Sequence, residues 1–470
     1  MSIKTGSLSI SSEKRSLNAL GLVAICFGFF MVILDTSIVN VALPAIQHNL
    51  HGTLEGLQWV VNGYTLIFAS LLLSAGMLGD RFGHKRTFLA GYILFTGASL
   101  LCSFAPSLRI LILARVLQGV GPALLVPGSL SLIAHGIEDA GQRAKAVSIW
   151  AGCSGIGLAG GPVVGGLLVE TLGWRSIFLL NVPCGLLAIL LTLHFVSETP
   201  HTVQHKLDIW GQVCIVIALA TLTYLLIEGR DEGWATPQVI GIALLCICTS
   251  VGFLLIERRT VSPLLPLSFF SRISFTVPIV VGGIINFGLY GLLFAFSLFF
   301  QYIHHYSAVL TGVVLLPMTV ATGSAALMSG RVMTRFDVHW PMIAGLAAGT
   351  LGTLFLLLGA MCNNVFLLTC GEIIVGLGCG ITVPAMTTMI LHAVPTSQVG
   401  VTSALLNAGR QIGGVLGIAI VGTILGSLSE RNTFLAGMPI ALVLIVLAFL
   451  LGCILVVITW QQSRKERATN

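Results

Sequence analysis

Charge is what this sequence has least of. Asp, Glu, Lys and Arg make up 9% of its 470 residues, against 56% hydrophobic residues and a mean hydropathy of +1.00. That leaves too little polar surface to cover a soluble globule, so the chain reads as a polytopic membrane protein. Period-two alternation is also missing. The apolar runs are continuous, which excludes a β-barrel. No nucleophile with a base, metal cluster or phosphate loop stands out, and no segment larger than a loop could house an enzyme. The eleven cysteines lie almost all within apolar segments, and Cys246 and Cys248 would point to different faces of one helix, so no metal site is expected. The histidines sit at loops and helix ends, which disfavours a buried histidine relay. The net charge of +6 gives no reason to expect nucleic acid as a partner, because its distribution follows topology.

What is present is about fourteen apolar segments of membrane-crossing length. They begin near Leu17, Leu57, Thr87, Ile110, Ala144, Ser176, Leu207, Pro237, Phe275, Leu310, Pro341, Asn364, Val399 and Ala436. The polar stretch Met1 to Ser16 reads as a cytoplasmic tail, without the cleavage site of a signal peptide. With the amino terminus inside, 17 of the 23 lysines and arginines fall in cytoplasmic segments, four (Arg109, Arg175, Arg230, Arg431) in outer loops, and Arg115 and Arg410 in the membrane. This bias places both termini in the cytoplasm.

One carboxylate, Asp35, lies inside the first apolar segment. Charge at that depth costs several kcal/mol and persists where it faces a cavity or partner, so Asp35 is the leading functional candidate. Counting inward at about 1.5 Å per residue puts Asp35 roughly 12 Å, and Arg115 of the fourth span roughly 10 Å, from the outer surface. Glu372 of the twelfth span falls at a similar depth.

The two ends of the chain repeat each other. Arg115 to Gly121, ending at Pro127, aligns without gaps on Glu372 to Gly378, ending at Pro384, an offset of 257. Gly157, Gly161 and Gly165 recur every fourth residue on the fifth span, as Gly409, Gly413 and Gly417 do on the thirteenth, and such stripes permit close helix approach. A shift of eight spans between repeats leaves the seventh and eighth as an insert. The expected division is a tail (1–16), a six-helix bundle (17–200), two inserted helices (201–262), a second six-helix bundle (263–460) and a tail (461–470), with like-oriented halves as in parallel transporter repeats.

The Asp35 segment, the Gly76 to Arg86 loop, the Arg115 to Pro127 stretch and Gly157 to Gly166 resemble, in order, four signature motifs of the major facilitator superfamily. The first and last are similar to those of its fourteen-helix drug:proton antiporter branch. The resemblance implies an all-α major facilitator fold in the cell membrane, lined centrally by spans 1, 4, 9 and 12. It implies a proton-coupled exporter of amphipathic, drug-like compounds, conferring multidrug or antibiotic resistance, a monomer needing no cofactor beyond a proton gradient. Alternatives are an exporter of an endogenous metabolite or lipid-like anion, and a proton-coupled uptake symporter. Asp35 would bind a proton or a cargo-linked charge with Arg115 tuning its affinity, and Glu372, which the resemblance does not cover, would be a second acidic site for proton or cargo. Asn40, Trp59, Asn62, Gln118, Asn286, Phe287, Tyr290, Phe294, Asn407 and Arg410 are cavity candidates. Gly76, Asp80, Arg81, Gly83 and Arg86 would form a cytoplasmic gate, Asp80 latching onto the start of the thirteenth span near Gly400. Gly157, Gly161, Pro162 and Gly165 would supply the packing of the antiporter motif, with Pro162 kinking its helix.

Overall fold

In a computed structural model of the chain, residues 17–137, 139–198, 208–260, 264–265, 267–333, 335–394, 399–426 and 431–469 are described. The expected amino-terminal tail with Lys4, Lys14 and Arg15 lies outside them, as do Lys206 in the first linker and the stretch 395–398 before Gly400. Among the described residues fourteen helices are long and apolar enough to cross a membrane, and none forms a strand.

These are α1 (Ala19–Leu50), α2 (Leu54–Phe82), α3 (His84–Ser103), α4 (Leu108–Gly136), α5 (Ala140–Leu172), α6 (Arg175–Phe195), α7 (Ile209–Glu232) and α8 (Pro237–Arg259). After them come α9 (Ile273–Ile303), α10 (Ala308–Met333), α11 (His339–Cys362), α12 (Val365–His392), α13 (Val399–Leu425) and α14 (Arg431–Thr469). The stretch expected to be a carboxy-terminal tail from 461 is helical as far as Thr469. Polar side chains start the helices: Asn18, Thr53, Ser107, Asp139, Thr236 and Asn364 each accept a hydrogen bond from a first-turn amide. Gly83 separates α2 from α3 at φ +96°, a backbone conformation open mainly to glycine.

Glycine fixes which helices meet. A Cβ on Gly119 of α4 would lie 2.4 Å from the Tyr64 carbonyl oxygen of α2, and one on Gly121 would lie 2.9 Å from that of Gly91 of α3. Their sequence counterparts do the same: Gly376 of α12 meets the Met318 carbonyl of α10 at 2.3 Å, and Gly378 meets that of Gly345 of α11 at 2.4 Å. Gly157 and Gly165 seat α5 on Phe30 and Ile38 of α1, as Gly413 and Gly417 seat α13 on Gly283 and Phe287 of α9. The repeat in sequence is thus a repeat in packing. Only residues without a side chain allow these backbones to touch. Helices α7 and α8 pack on each other, and α7 also packs on α2 and α13.

Contacts between the first six and last six helices concentrate on the outer side. Gln58 Nε2 donates to the Ile418 and Ala419 carbonyls, both at 2.9 Å, and Ser297 Oγ donates to the Asn40 carbonyl at 2.6 Å. Gln301 Nε2 reaches the Val41 carbonyl at 3.1 Å, and the Tyr302 hydroxyl contacts Gln47 Oε1. α5 and α10 run together from the outer end inward, meeting at Gly166 and Ala308, then at Pro162 and Gly312, and deepest at Gly155 and Gly323.

Candidate transport site

The five helices around Asp35 each bring one element of a closed polar knot. The glycine stripe of α5 lies directly against this stretch of α1: a Cβ on Gly161 would strike Ser37 Oγ, and Ser37 Oγ donates to the Gly157 carbonyl at 3.3 Å. From α4, Arg115 Nη1 donates to Asp35 Oδ2 at 2.6 Å and Gln118 Nε2 donates to Asp35 Oδ1 at 3.0 Å. From α6, Asn181 Nδ2 donates to the same Oδ1 at 2.8 Å. From α3, Ser99 Oγ accepts from Gln118 at 2.9 Å and from Asn181 at 3.3 Å. From α2, the Val60 carbonyl accepts from Arg115 Nε at 3.0 Å and the Tyr64 ring lies 4.1 Å beneath the guanidinium.

The Asp35 and Arg115 side chains are both 0% exposed. A carboxylate with one guanidinium and two amide donors has most of its lone pairs satisfied, which offsets the cost of burying charge. Asp35 and Arg115 therefore form a sealed pair in this conformation, where a water-filled space around both was expected.

Glu372 does not join them. It is 1% exposed on α12, and neither carboxyl oxygen has a hydrogen-bond partner. The matched packing explains why. Pairing Phe30 with Ile279 and Ile38 with Phe287 through the two glycine stripes places Ile284 where the first half has Asp35. Glu372 thus occupies the place of Arg115 without the carboxylate or amides that Arg115 meets.

The cavity candidates divide. Asn62 is fully buried with its whole amide unpartnered; Asn40 Oδ1 and Asn286 Oδ1 are likewise buried without partners. Asn40 Nδ2 donates to the Thr36 carbonyl at 3.0 Å. Asn407 and Arg410 lie together on α13, 3.4 Å apart, beside Tyr290. Phe294 is buried, and the Phe287 backbone packs against Gly417. Trp59 points elsewhere: its Nε1 donates to Glu228 Oε1 of α7 at 2.9 Å, tying α2 to the inserted helices.

On the cytoplasmic side Asp80 Oδ1 pairs with His84 Nε2 at 3.2 Å, within its own half. Glu198, after α6, accepts from the Lys85 amide at 3.0 Å and lies 3.6 Å from Arg86 Nε. Arg81 lies over the Phe82 ring at 5.3 Å. A Cβ on Gly76 would touch nothing within 4 Å, whereas one on Gly83 would meet Glu198 at 2.6 Å.

Asn181, Ser99, Tyr64 and Glu198 were not legible as site residues. For Asn181 a signal exists: it is a lone amide in the apolar run from Ile177 to Leu193, where an unpartnered polar group is costly.

The pattern described as Major Facilitator Superfamily matches residues 25–418 and again 288–467. The chain is 36% identical over 455 residues to the methylenomycin A resistance protein of Bacillus subtilis, covering 96% of each. It is 35% identical to the multidrug resistance protein Stp of Mycobacterium tuberculosis, over 87% of this chain and 76% of that one. Among solved structures it resembles the peptide transporter POT in complex with sulfate, with a TM-score of 0.70 at 15% identity, over 94% of this chain and 95% of that chain.

Proposed function

From the premise that this chain belongs to the Major Facilitator Superfamily and is a membrane transporter, not an enzyme, we propose that it is a proton-coupled exporter of amphipathic, drug-like compounds. It works by alternating access, as a monomer in the cell membrane, with no cofactor beyond the proton gradient. The drug- and antibiotic-resistance names of its relatives support the cargo class.

The observation that carries the coupling is the sealed Asp35–Arg115 pair in a conformation whose half-to-half hydrogen bonds lie on the outer side. A protonated carboxyl loses its charge and turns one acceptor oxygen into a donor. Asp35 could then no longer accept from Arg115, Gln118 and Asn181 together. Protonation from outside would release Arg115 and loosen α1, whose Asn40 and Val41 carbonyls are held by the second half on the outer side, from α4 and α6. Proton loss to the cytoplasm would re-form the knot and reset the transporter for loading. Each ligand acts here only through its different affinity for the two states.

The test is Asp35→Asn in everted vesicles. Drug-stimulated proton release, normalised to the amount of folded protein in the membrane, is expected to vanish. Unchanged coupling removes Asp35 from the mechanism.

A further inference from the structure

A membrane-embedded cation with no counter-ion is costly and calls for an explanation. Arg410 is one. Among the described residues no Asp or Glu pairs with it: Nη1 donates to Asn407 Oδ1 at 3.4 Å, and its buried Nε has no acceptor. The first half answers the same problem with Asp35; among its described residues the second half supplies no such group. The one acid of α12, Glu372, lies seven residues, roughly 10 Å, beyond Cys379, the α12 residue that interacts with the guanidinium.

The surroundings of Arg410 are closely packed, with Met386 and Leu406 as well as polar groups beside it. A Cβ on Gly282 would sit 2.9 Å from Arg410 Cγ, and one on Gly414 would sit 2.8 Å from the Tyr290 ring. Gly282, Asn286 and Tyr290 are spaced four apart, so they share one face of α9, and that face is turned to Arg410 and Gly414 of α13. Asn286 thus lies between two residues that reach Arg410 and Gly414, and its Nδ2 is the atom able to donate to an anion. This side of the α9–α13 seam presents a guanidinium, the Asn286 amide and a phenol, while the Asn407 amide is held by Arg410 and by the Ser403 carbonyl at 3.0 Å.

We propose that Arg410 is the cargo's anion anchor: its guanidinium, beside the α9–α13 seam, binds the acidic headgroup, a carboxylate or sulfonate, of an amphipathic cargo, and the Asn286 amide and Tyr290 hydroxyl donate to it. A guanidinium holds such a group through two parallel charge-assisted hydrogen bonds, and the cargo supplies the counter-ion that the fold omits. This rests on the export reading above and adds the charge of the cargo to it.

The experiment uses the full-length chain in nanodiscs and in proteoliposomes, with dansylaminoundecanoic acid and its methyl ester as probes. Binding is read by energy transfer from tryptophan. The acid is expected to bind at least about tenfold tighter than the ester, the value of one charge-assisted contact. Arg410→Ala should weaken the acid alone and erase the difference, and Arg410→Lys should keep part of it. Equal affinity of the native chain for both probes overturns the anchor, as does an Arg410→Ala chain that elutes as folded and weakens both alike. Efflux of both probes on a proton gradient without acid preference refutes the anchor and leaves export standing. Efflux of neither refutes the export reading and the anchor with it.

Discussion

Arg115 Nη1 stands 2.6 Å from Asp35 Oδ2 with neither side chain exposed, and the same guanidinium also holds the Val60 carbonyl and Gln118 Oε1. One arginine therefore ties together α1, α2 and α4. Removing either partner leaves a buried charge uncompensated, which costs about 3–5 kcal/mol. Arg115→Ala is expected to lower the thermal midpoint of the purified protein sharply. The double variant Asp35→Asn with Arg115→Gln should lose much less than the sum of the singles. Additive losses in that cycle would show that the two side chains do not act as a pair.

The α5 stripe predicts a sharp contrast between neighbours. A methyl at Gly161 would strike Ser37, whereas one at Gly160 would meet nothing within 4 Å. Overpacking of this kind costs about 1–3 kcal/mol. Gly161→Ala should reduce both thermal stability and drug efflux, because it pushes the Asp35 segment off α5, and Gly160→Ala should leave both unchanged. Equal tolerance of the two alanines would mean that α5 does not position α1.

Much of this was legible before any coordinates. Fourteen helices begin close to where the apolar runs begin, because a membrane forbids unsatisfied backbone and makes each crossing visible as length. The ion pair was half legible: charge in an apolar run marks Asp35 and Arg115, but their partners Gln118, Asn181 and Ser99 are neutral and appear on helices throughout. Rotational phase was the hidden quantity. Trp59 turns to Glu228 on α7, one residue along from Gln58, which turns to α13. Composition cannot tell these two faces apart when both are buried by protein. The break of α6 at Leu180, just before Asn181, does have a sign in the apolar run: Pro183 cannot donate to the Leu179 carbonyl.

Gln58 predicts how the outer closure is held. Its amide bridges α2 to two consecutive carbonyls of α13, and a Cβ on Gly422 would collide with it. Each such bond contributes about 1 kcal/mol. Gln58→Ala should shift the population toward outward opening, read as faster labelling of a cysteine placed at Thr423 by a membrane-impermeant maleimide. Gln58→Glu, which cannot donate, should do at least as much. Labelling unchanged in both variants would relocate the outer latch to Ser297 and Gln301.

The last turn of α9 predicts a pH effect on that same closure. It is π-helical from Phe299 to Ile303, and it carries Gln301 and Tyr302 across to α1. His304 follows it, packed on the rings of Phe299, Phe300 and Tyr306, with Nε2 buried and unpartnered. Burial first, then Arg431 and His305, pushes its imidazole below the ordinary value of 6.5. Among the described residues no acid offsets these effects. A histidine lowered in this way favours the closed arrangement only while neutral, so its contribution is complete above 6.5 and is lost as the outer pH falls through the lowered value. Acidifying the outside should therefore speed modification of a cysteine placed at Gln47, in a chain stripped of its native cysteines and normalised to an exposed loop thiol. His304→Gln cannot take up that proton, and it should flatten the dependence below 6.5 while leaving labelling above it unchanged. A profile equally steep in the variant would assign the acid response to another group, with Asp35 the first to examine.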